Sequence, residues 1–444
     1  MTPVFPGKRG KDATPLTTAA AGAEYHEPHH RMRRVTFLVA LAVFAQESTW
    51  NFYESQVPPL LREHLTSAAA VGLLMGMDNL LGIFVQPWIG ARSDRTRTSW
   101  GRRMPYLVVG MPLAAVLFGL IPHAASSLPL LICVMFFYAL VANTFKPIAE
   151  ALVPDFVAPE RRSRANAAVK IASSITTIVA ALLSLLLVDD HPMIAFAVPS
   201  LIMLVSIGVL GVTVRDSRSR AYRSLSEKST DTEDPDPAPP RVRDTFVDIL
   251  TDRDRSRLLL LAAIFLFGSA WASSRSLLTP YGMEALDLSR GDAGSLGLPS
   301  GVAFILAAYP AAVYAERFGR LRVMTVGMTT FAAAMLLGTV AQNAVGTMAA
   351  LCVGAAGGAC FLVNAVVVLW NLAPSPHVFA AYGGLYTVSW TGGGFLGPAL
   401  VGAMVDVTGW PLMLLDIGLV VALSIVVVTR IGKPARRAES TLVE

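Results

Sequence analysis

The sequence predicts an all-α membrane protein of twelve transmembrane helices in two six-helix bundles, with the N- and C-termini cytoplasmic. Three observations carry this: apolar windows of spanning length recur down the chain, one long polar stretch divides them six and six, and basic residues gather in alternate connections. Of 444 residues, 54% are hydrophobic and only 15% charged, where a soluble globular chain carries about 25% charged residues. The mean hydropathy of +0.55 agrees. The formal net charge of +5 raises the question of nucleic acid. Its basic residues lie between apolar spans, however, where orientation in the bilayer and attraction to anionic lipid explain them, so no nucleic-acid partner is expected.

A bilayer-spanning helix needs about 20 mostly apolar residues. Such windows fall near 35–58, 68–91, 104–122, 127–150, 164–188 and 192–214, then near 257–281, 292–315, 322–341, 345–371, 378–403 and 410–430. The expected organisation is therefore a disordered cytoplasmic tail 1–34, a bundle 35–214, a cytoplasmic linker 215–256, a second bundle 257–430 and a cytoplasmic tail 431–444. The linker, rich in Pro, Asp, Ser and Arg, is expected to be disordered or helical in short pieces. Arg31–Arg34, Arg161, Arg162 and Arg164, the linker, Arg317, Arg320 and Arg322, and Lys433, Arg436 and Arg437 all fall on one side of this topology. The other side holds Arg62 and Arg290, so the basic side is cytoplasmic. The connection Pro374–His377 has no Lys or Arg and breaks the pattern mildly.

Cys133, Cys352 and Cys360 lie inside apolar spans without metal-ligand or disulfide spacing, and neither metal nor cofactor is expected. His26, His29 and His30, beside Glu24 and Glu27, read as part of a disordered tail rather than a metal site. The leader has no apolar core, so no cleavable signal peptide is expected. No nucleophile–base pair or phosphate loop points to an enzyme.

The most informative segment is Gln86–Arg103, QPWIGARSDRTRTSWGRR, a short loop between two spans. It sets Arg92, Arg95, Arg97, Arg102 and Arg103 against one acid, Asp94, and the order is Gly90, Asp94-Arg95, then Gly101-Arg102-Arg103. Asp94 can pair with its arginine neighbours or face a helix N-terminus of the other bundle. Contacts of that kind, broken and remade, would set a conformational balance; the competing reading is that the arginines serve topology alone. A shortened echo, YPAAVYAERFGRLR, stands in the second bundle with Pro310, Glu316, Arg317, Gly319 and Arg320. It suggests a pseudo-repeat about an axis along the membrane normal.

Several spans contain ionisable residues, which lipid tolerates only when they are paired, hydrated or protonated. The first span places Glu47, Asn51, Glu54 and Pro58 along one stripe, with Trp50 and Tyr53 beside it. The second has Asp78 and Asn79, and the fourth has Asn143, Lys146 and Glu150 on one face. Glu47, Glu54, Asp78 and Glu150 are the candidates for taking up a proton. The competing readings are structural: Glu54 near the interface, Glu47 paired with an arginine, Asp78–Asn79 in a helix–helix contact and Lys146–Glu150 as an i, i+4 ion pair. Arg275, deep in the seventh span, requires an acidic partner, and the first bundle offers Glu47, Glu54, Asp78 and Glu150, unless it snorkels to the surface. Trp271, Asn364, Trp370, Asn371, Tyr382, Tyr386 and Trp390 could stack on sugar rings and bond hydroxyls, or belong to an interfacial aromatic belt. The run Gly392–Gly394 with Gly397-Pro398 reads as close helix packing.

The loop signature resembles that of the major facilitator superfamily. Gln86, Pro87, Gly90, Ser93, Asp94, Arg95, Gly101, Arg102, Arg103 and Pro105 match the pattern of its sucrose transporters and their glycoside–pentoside–hexuronide relatives. A second match is carried by Asn143, Pro147, Ala151, Leu152, Asp155, Arg162 and Asn166. The resemblance implies a major facilitator fold working by alternating access. It also implies proton-coupled symport of a small sugar or glycoside by a monomer in the cell membrane. Trp50, Asn51, Asn79, Asn143, Lys146, Trp271, Arg275, Asn364 and Tyr386 would then contact substrate. Gly90, Asp94, Arg95, Gly101, Arg102, Arg103, Asp155 and Arg162 would form the conformational switch. Sodium-coupled relatives carry aspartates roughly where Gly82 and Gln86 stand here, so coupling falls to protons. The alternative is proton-coupled efflux of a drug or secondary metabolite. Residues 167–187, which lack the Gly and Pro of efflux members, speak against it.

Overall fold

The computed structural model describes residues 29–156, 162–213, 242–252, 254–374 and 378–431. His26, most of the expected tails and linker, and residues 375–377 lie outside the described residues. The first half comprises α1 (His29–Arg62), α2 (Ala68–Arg95), α3 (Met104–Ala124), α4 (Leu128–Phe156), α5 (Arg162–Leu183) and α6 (Pro192–Thr213). A π-helical turn, Ser184–Val188, continues α5. The amphipathic α7 (Val242–Thr251) falls inside the expected linker. The second half comprises α8 (Ser256–Ser276), α9 (Leu278–Leu286), α10 (Arg290–Ser295), α11 (Leu298–Phe318), α12 (Arg320–Ala341), α13 (Ala344–Asn371), α14 (Phe379–Thr408) and α15 (Met413–Thr429).

Three expectations change. Helix begins at His29, inside the segment expected to be tail. The single helix expected over 257–281 breaks at Leu277, and Pro280 falls in the first turn of α9, where a missing N–H costs little. The helix expected over 292–315 is likewise two pieces, with Pro299 at the start of α11.

Among the described residues, ten helical stretches are long and apolar enough to cross a membrane. α1 is not among them, and of α5 only the shorter stretch Ala172–Val188 is apolar. These two helices place Glu47, Asn51 and Glu54, and Ser173, Thr176 and Thr177, in their middles. They pack against each other, so lipid does not meet these polar groups.

Each half has its own core. One cluster runs from Leu38 to Leu210, including Phe52, Phe118 and Phe196 in edge and tilted contacts. The other runs from Ile249 to Ile431 around Phe267, Phe331 and Phe361, and takes in Ala68 from the first half. Lipid tails are as apolar as these side chains, so association between helices rests on close packing and small residues. At the seam between halves α2 meets α14 almost backbone to backbone. A Cβ on Gly72 would stand 2.1 Å from the Pro398 carbonyl oxygen, and one on Gly402 would stand 2.4 Å from that of Ala68.

Hydrogen bonds between described residues of the two halves run around the central cavity and towards the end that holds the α1–α2 connection, and they seal that end. At the opposite end α2 runs out into the arginine loop.

Within the second half, Gly393 of α14 backs onto α8, where a Cβ would stand 2.3 Å from the Phe265 carbonyl oxygen. Gly393→Val is expected to cost about 1–3 kcal/mol through overpacking, read as a lower melting temperature in detergent. Gly392→Ala, whose Cβ would meet the Phe265 ring at an ordinary 3.5 Å, should melt close to the parent.

Candidate functional site

Between the halves lies a cavity of about 450 Å³, within the usual range for small-molecule sites. The first half lines it with Glu47, Trp50, Asn51, Glu54, Asn79, Lys146, Glu150, Ser173 and Thr177, and the second half with Trp271, Arg275, Phe304 and Trp390.

The strongest link across it is built on Arg275. Its Nε donates to Glu54 Oε2 at 2.7 Å, and its Nη2 donates to Asn51 Oδ1. Asn51 is in turn held by α5: its Nδ2 donates to Thr176 Oγ1 at 2.8 Å, and Thr177 Oγ1 donates to its Oδ1 at 3.1 Å. A guanidinium of the second half thus grips a carboxylate and an amide of α1, and α5 fixes the amide. The i, i+3 spacing of Asn51 and Glu54 puts both on one face of α1, within reach of a single fork-shaped cation.

Lys146 stands differently. Its Nζ lies 5.2 Å from the centre of the Trp50 ring, a cation–π contact. The alternative of an i, i+4 ion pair with Glu150 is not what the structure has, since among the described residues no carboxylate lies within 4 Å of Lys146. Glu47 accepts from Ser173 Oγ at 3.5 Å, and Glu150 is exposed to the cavity. The lining therefore carries three carboxylates and two cations, of which one pair is joined.

Four sequence candidates stand apart from the lining. Asp78 is buried, with Asn79 Nδ2 donating to its Oδ1 at 3.2 Å. Asn143 is buried behind it, donating to the Asp78 backbone oxygen at 3.1 Å and accepting from Gln86 Nε2 at 2.7 Å. Asn364 is fully buried, accepting from Arg320 Nη1 at 3.3 Å. Tyr386 lies behind Trp390, its ring parallel within 7° at 6.5 Å. Residue type alone gave these polar side chains to the cavity, and helix packing turned them away from it. Ser173, Thr177 and Phe304 were missed. The polar run Ser173-Ser174-Ile175-Thr176-Thr177 inside an apolar span was the available signal.

The arginine loop forms a compact network at the end opposite the α1–α2 connection. Asp155, buried at the end of α4, accepts from Arg102 Nη2 at 2.5 Å and from Arg103 Nε at 2.9 Å. Arg103 also donates to Ser93 Oγ at 2.9 Å and lies 2.7 Å from half-exposed Asp94. Gly101 takes φ 105° and its counterpart Gly319 takes φ 91°, a region that favours glycine. The pseudo-repeat of the two loops thus extends to the backbone. Gly90 has open space where a Cβ would stand, so packing does not demand glycine there. Arg95 is exposed, and the side chain of Arg162 lies outside the described residues.

The family model of the Major Facilitator Superfamily matches residues 37–308 and 283–443. The chain belongs to this superfamily. Its members are secondary transporters, not enzymes, and the chain is an integral multi-pass membrane protein. The fold agrees with solved facilitator structures at low identity. A bacterial homolog of the human lysosomal transporter Spinster, inward-facing and occupied, superimposes with TM-score 0.69 at 14% identity over 94% of this chain and 97% of its own. The nucleoside transporter NupG gives 0.69 at 13% over 90% and 100%, and the POT family transporter PepTSo gives 0.69 at 12% over 91% and 98%. Two curated relatives match in part. The Arabidopsis thaliana sucrose transport protein SUC4 is 31% identical over 93 residues, 21% of this chain and 18% of its own length. The Homo sapiens membrane-associated transporter protein is 29% identical over 82 residues, 18% of this chain and 16% of its own. The chain thus matches less than a fifth of the length of either relative.

In this facilitator the two acids of the loop network differ in burial, and their removal should differ accordingly. Asp155→Asn leaves two buried guanidinium groups without their shared carboxylate, and a loss of about 3–5 kcal/mol is expected. Asp94→Asn, with its carboxylate 55% exposed, should cost less than about 1 kcal/mol. Thermal unfolding of the two variants in one detergent measures the difference.

Proposed function

We propose that this facilitator is a proton-coupled symporter of a small sugar or glycoside, working by alternating access as a monomer in the cell membrane with both termini cytoplasmic. The observation that carries this reading is the Arg275–Glu54 pair, which bridges the two halves inside the cavity. Protonating Glu54 removes the charge that holds Arg275, and a buried cation without its partner favours any arrangement that hydrates it. Proton uptake and rocking of the halves are then the same event. Glu47, Asp78 and Glu150 are the further proton candidates. Trp50, Trp271 and Trp390 offer ring faces to the apolar side of a sugar. Asn51, Asn79 and the carboxylates offer partners for its hydroxyls. The partial match to a sucrose transport protein supports the sugar. The basic residues of the arginine loop and its echo support a cytoplasmic assignment of the end that carries them.

Accumulation of radiolabelled sucrose or maltose in proteoliposomes under an inside-alkaline gradient tests the proposal against a gradient-free control. A driving force of about 100 mV supplies about 2.3 kcal/mol per charge, enough for roughly fifty-fold accumulation. Glu54→Gln should abolish accumulation while leaving sugar exchange between the two sides intact. No accumulation of any sugar, with proton-driven movement of a lipophilic cation dye instead, would overturn symport in favour of efflux.

A further inference from the structure

At the sealed end two carboxylates, one from each half, reach across to the other. Asp406, near the end of α14, accepts from Ser67 Oγ and Ala68 N, both at 2.6 Å, and from Ala69 N at 3.2 Å. Asp189, just after the π-helical turn that closes α5, accepts from Ser289 Oγ at 2.6 Å and from Gly291 N at 2.8 Å. The two contacts repeat each other with the halves exchanged. In each, a serine hydroxyl donates a hydrogen bond to the foreign carboxylate. In each, the same oxygen accepts an amide of its own helix, Ala70 N at 3.2 Å for Ser67 and Asp292 N at 3.1 Å for Ser289.

Backbone approach accompanies both contacts. Beside Asp406, Gly402 and Gly72 bring α14 and α2 together. Beside Asp189, a Cβ on Gly291 would stand 2.7 Å from the Ser184 carbonyl oxygen, and one on Gly294 would stand 2.9 Å from the Ser184 hydroxyl. Both carboxylates are exposed at the surface, so neither is needed to fill a core. Each joins one bundle to the other, not parts of one bundle. A residue whose bonds all cross a moving seam contributes to one state of that seam and little to the fold of either half.

We propose that Asp406 and Asp189, each held by a serine of the opposite half, are a paired latch that closes the end of the cavity remote from the arginine loop and sets how often that end opens. They act as positioning residues for the transport cycle. The proposal rests on alternating access and is independent of which substrate is carried.

Spin labels on Ser126→Cys and Val345→Cys, in the full chain with Cys133, Cys352 and Cys360 replaced by alanine, place one probe on each half at this end. The parent should give a single short-distance population. Asp406→Asn and Asp189→Asn should each raise the ratio of long to short distances by about three- to tenfold, from the exchange of a charged hydrogen-bond acceptor for a neutral one. The double variant should exceed either, and Asp406→Glu should return toward the parent. Should the aspartate variants fail to insert, Ser67→Ala and Ser289→Ala remove only the hydroxyl donors and should shift the ratio in the same direction by less. Distance distributions unchanged in properly folded variants, even with a lowered melting temperature, would overturn the latch. Failure of sugar uptake would leave the distance result intact, so the two proposals fall separately.

Discussion

A cation lining a cavity between membrane helices needs a partner, and in this protein the partner of Arg275 is on the other half of the molecule. Much of the central architecture follows from that requirement. α1 carries Asn51 and Glu54 on one face, α5 supplies Thr176 and Thr177 to hold the amide, and α8 ends at Ser276, immediately after the arginine. The first and fifth helices are polar where lipid would forbid it because they face each other and the cavity. The seam between the halves is therefore electrostatic at its centre.

Around that centre the seam is steric. Glycines of α2 and α14 remove the side chains that would otherwise part the backbones, and Gly301 of α11 sits against Thr177 and Ile178 of α5. With no hydrophobic drive between helices in lipid, such contacts and the polar links at the sealed end are what hold the halves in this state. The arginine network at the other end ties, among the described residues, the α2–α3 loop and the end of α2 to the end of α4 within the first half.

Asp155 reaches Arg102 and Arg103 only through the packing of α4, whereas the pairing of Asp94 with the loop arginines was legible in the sequence because these residues are close along the chain and their charges are opposite. So was the need of Arg275 for a carboxylate, since a lone arginine in a span admits few solutions. Which of the four acids would meet it was not legible. Glu47, Glu54 and Asp78 are equally acidic in one dimension, and only the relative rotation of α1 and α8 selects Glu54. Asn143 and Asn364 illustrate the converse: each is a polar residue in an apolar helix, yet each is bonded to Gln86 or Arg320 and stands apart from the cavity lining. Lys146 and Glu150 have the spacing of an ion pair, and the lysine instead lies over Trp50.

The sequence by itself determined the helical, membrane-embedded class, the division into two halves and the repeated loop. These follow from local hydropathy and charge, which each segment satisfies alone against lipid and water. Tertiary structure decided where Pro280 and Pro299 break helices, which polar groups face the cavity and which end is sealed. Asp406 and Ser67, or Asp189 and Ser289, are far apart in sequence and unremarkable in composition. They become partners only when the two bundles close on each other, and no one-dimensional pattern records the angle at which they do.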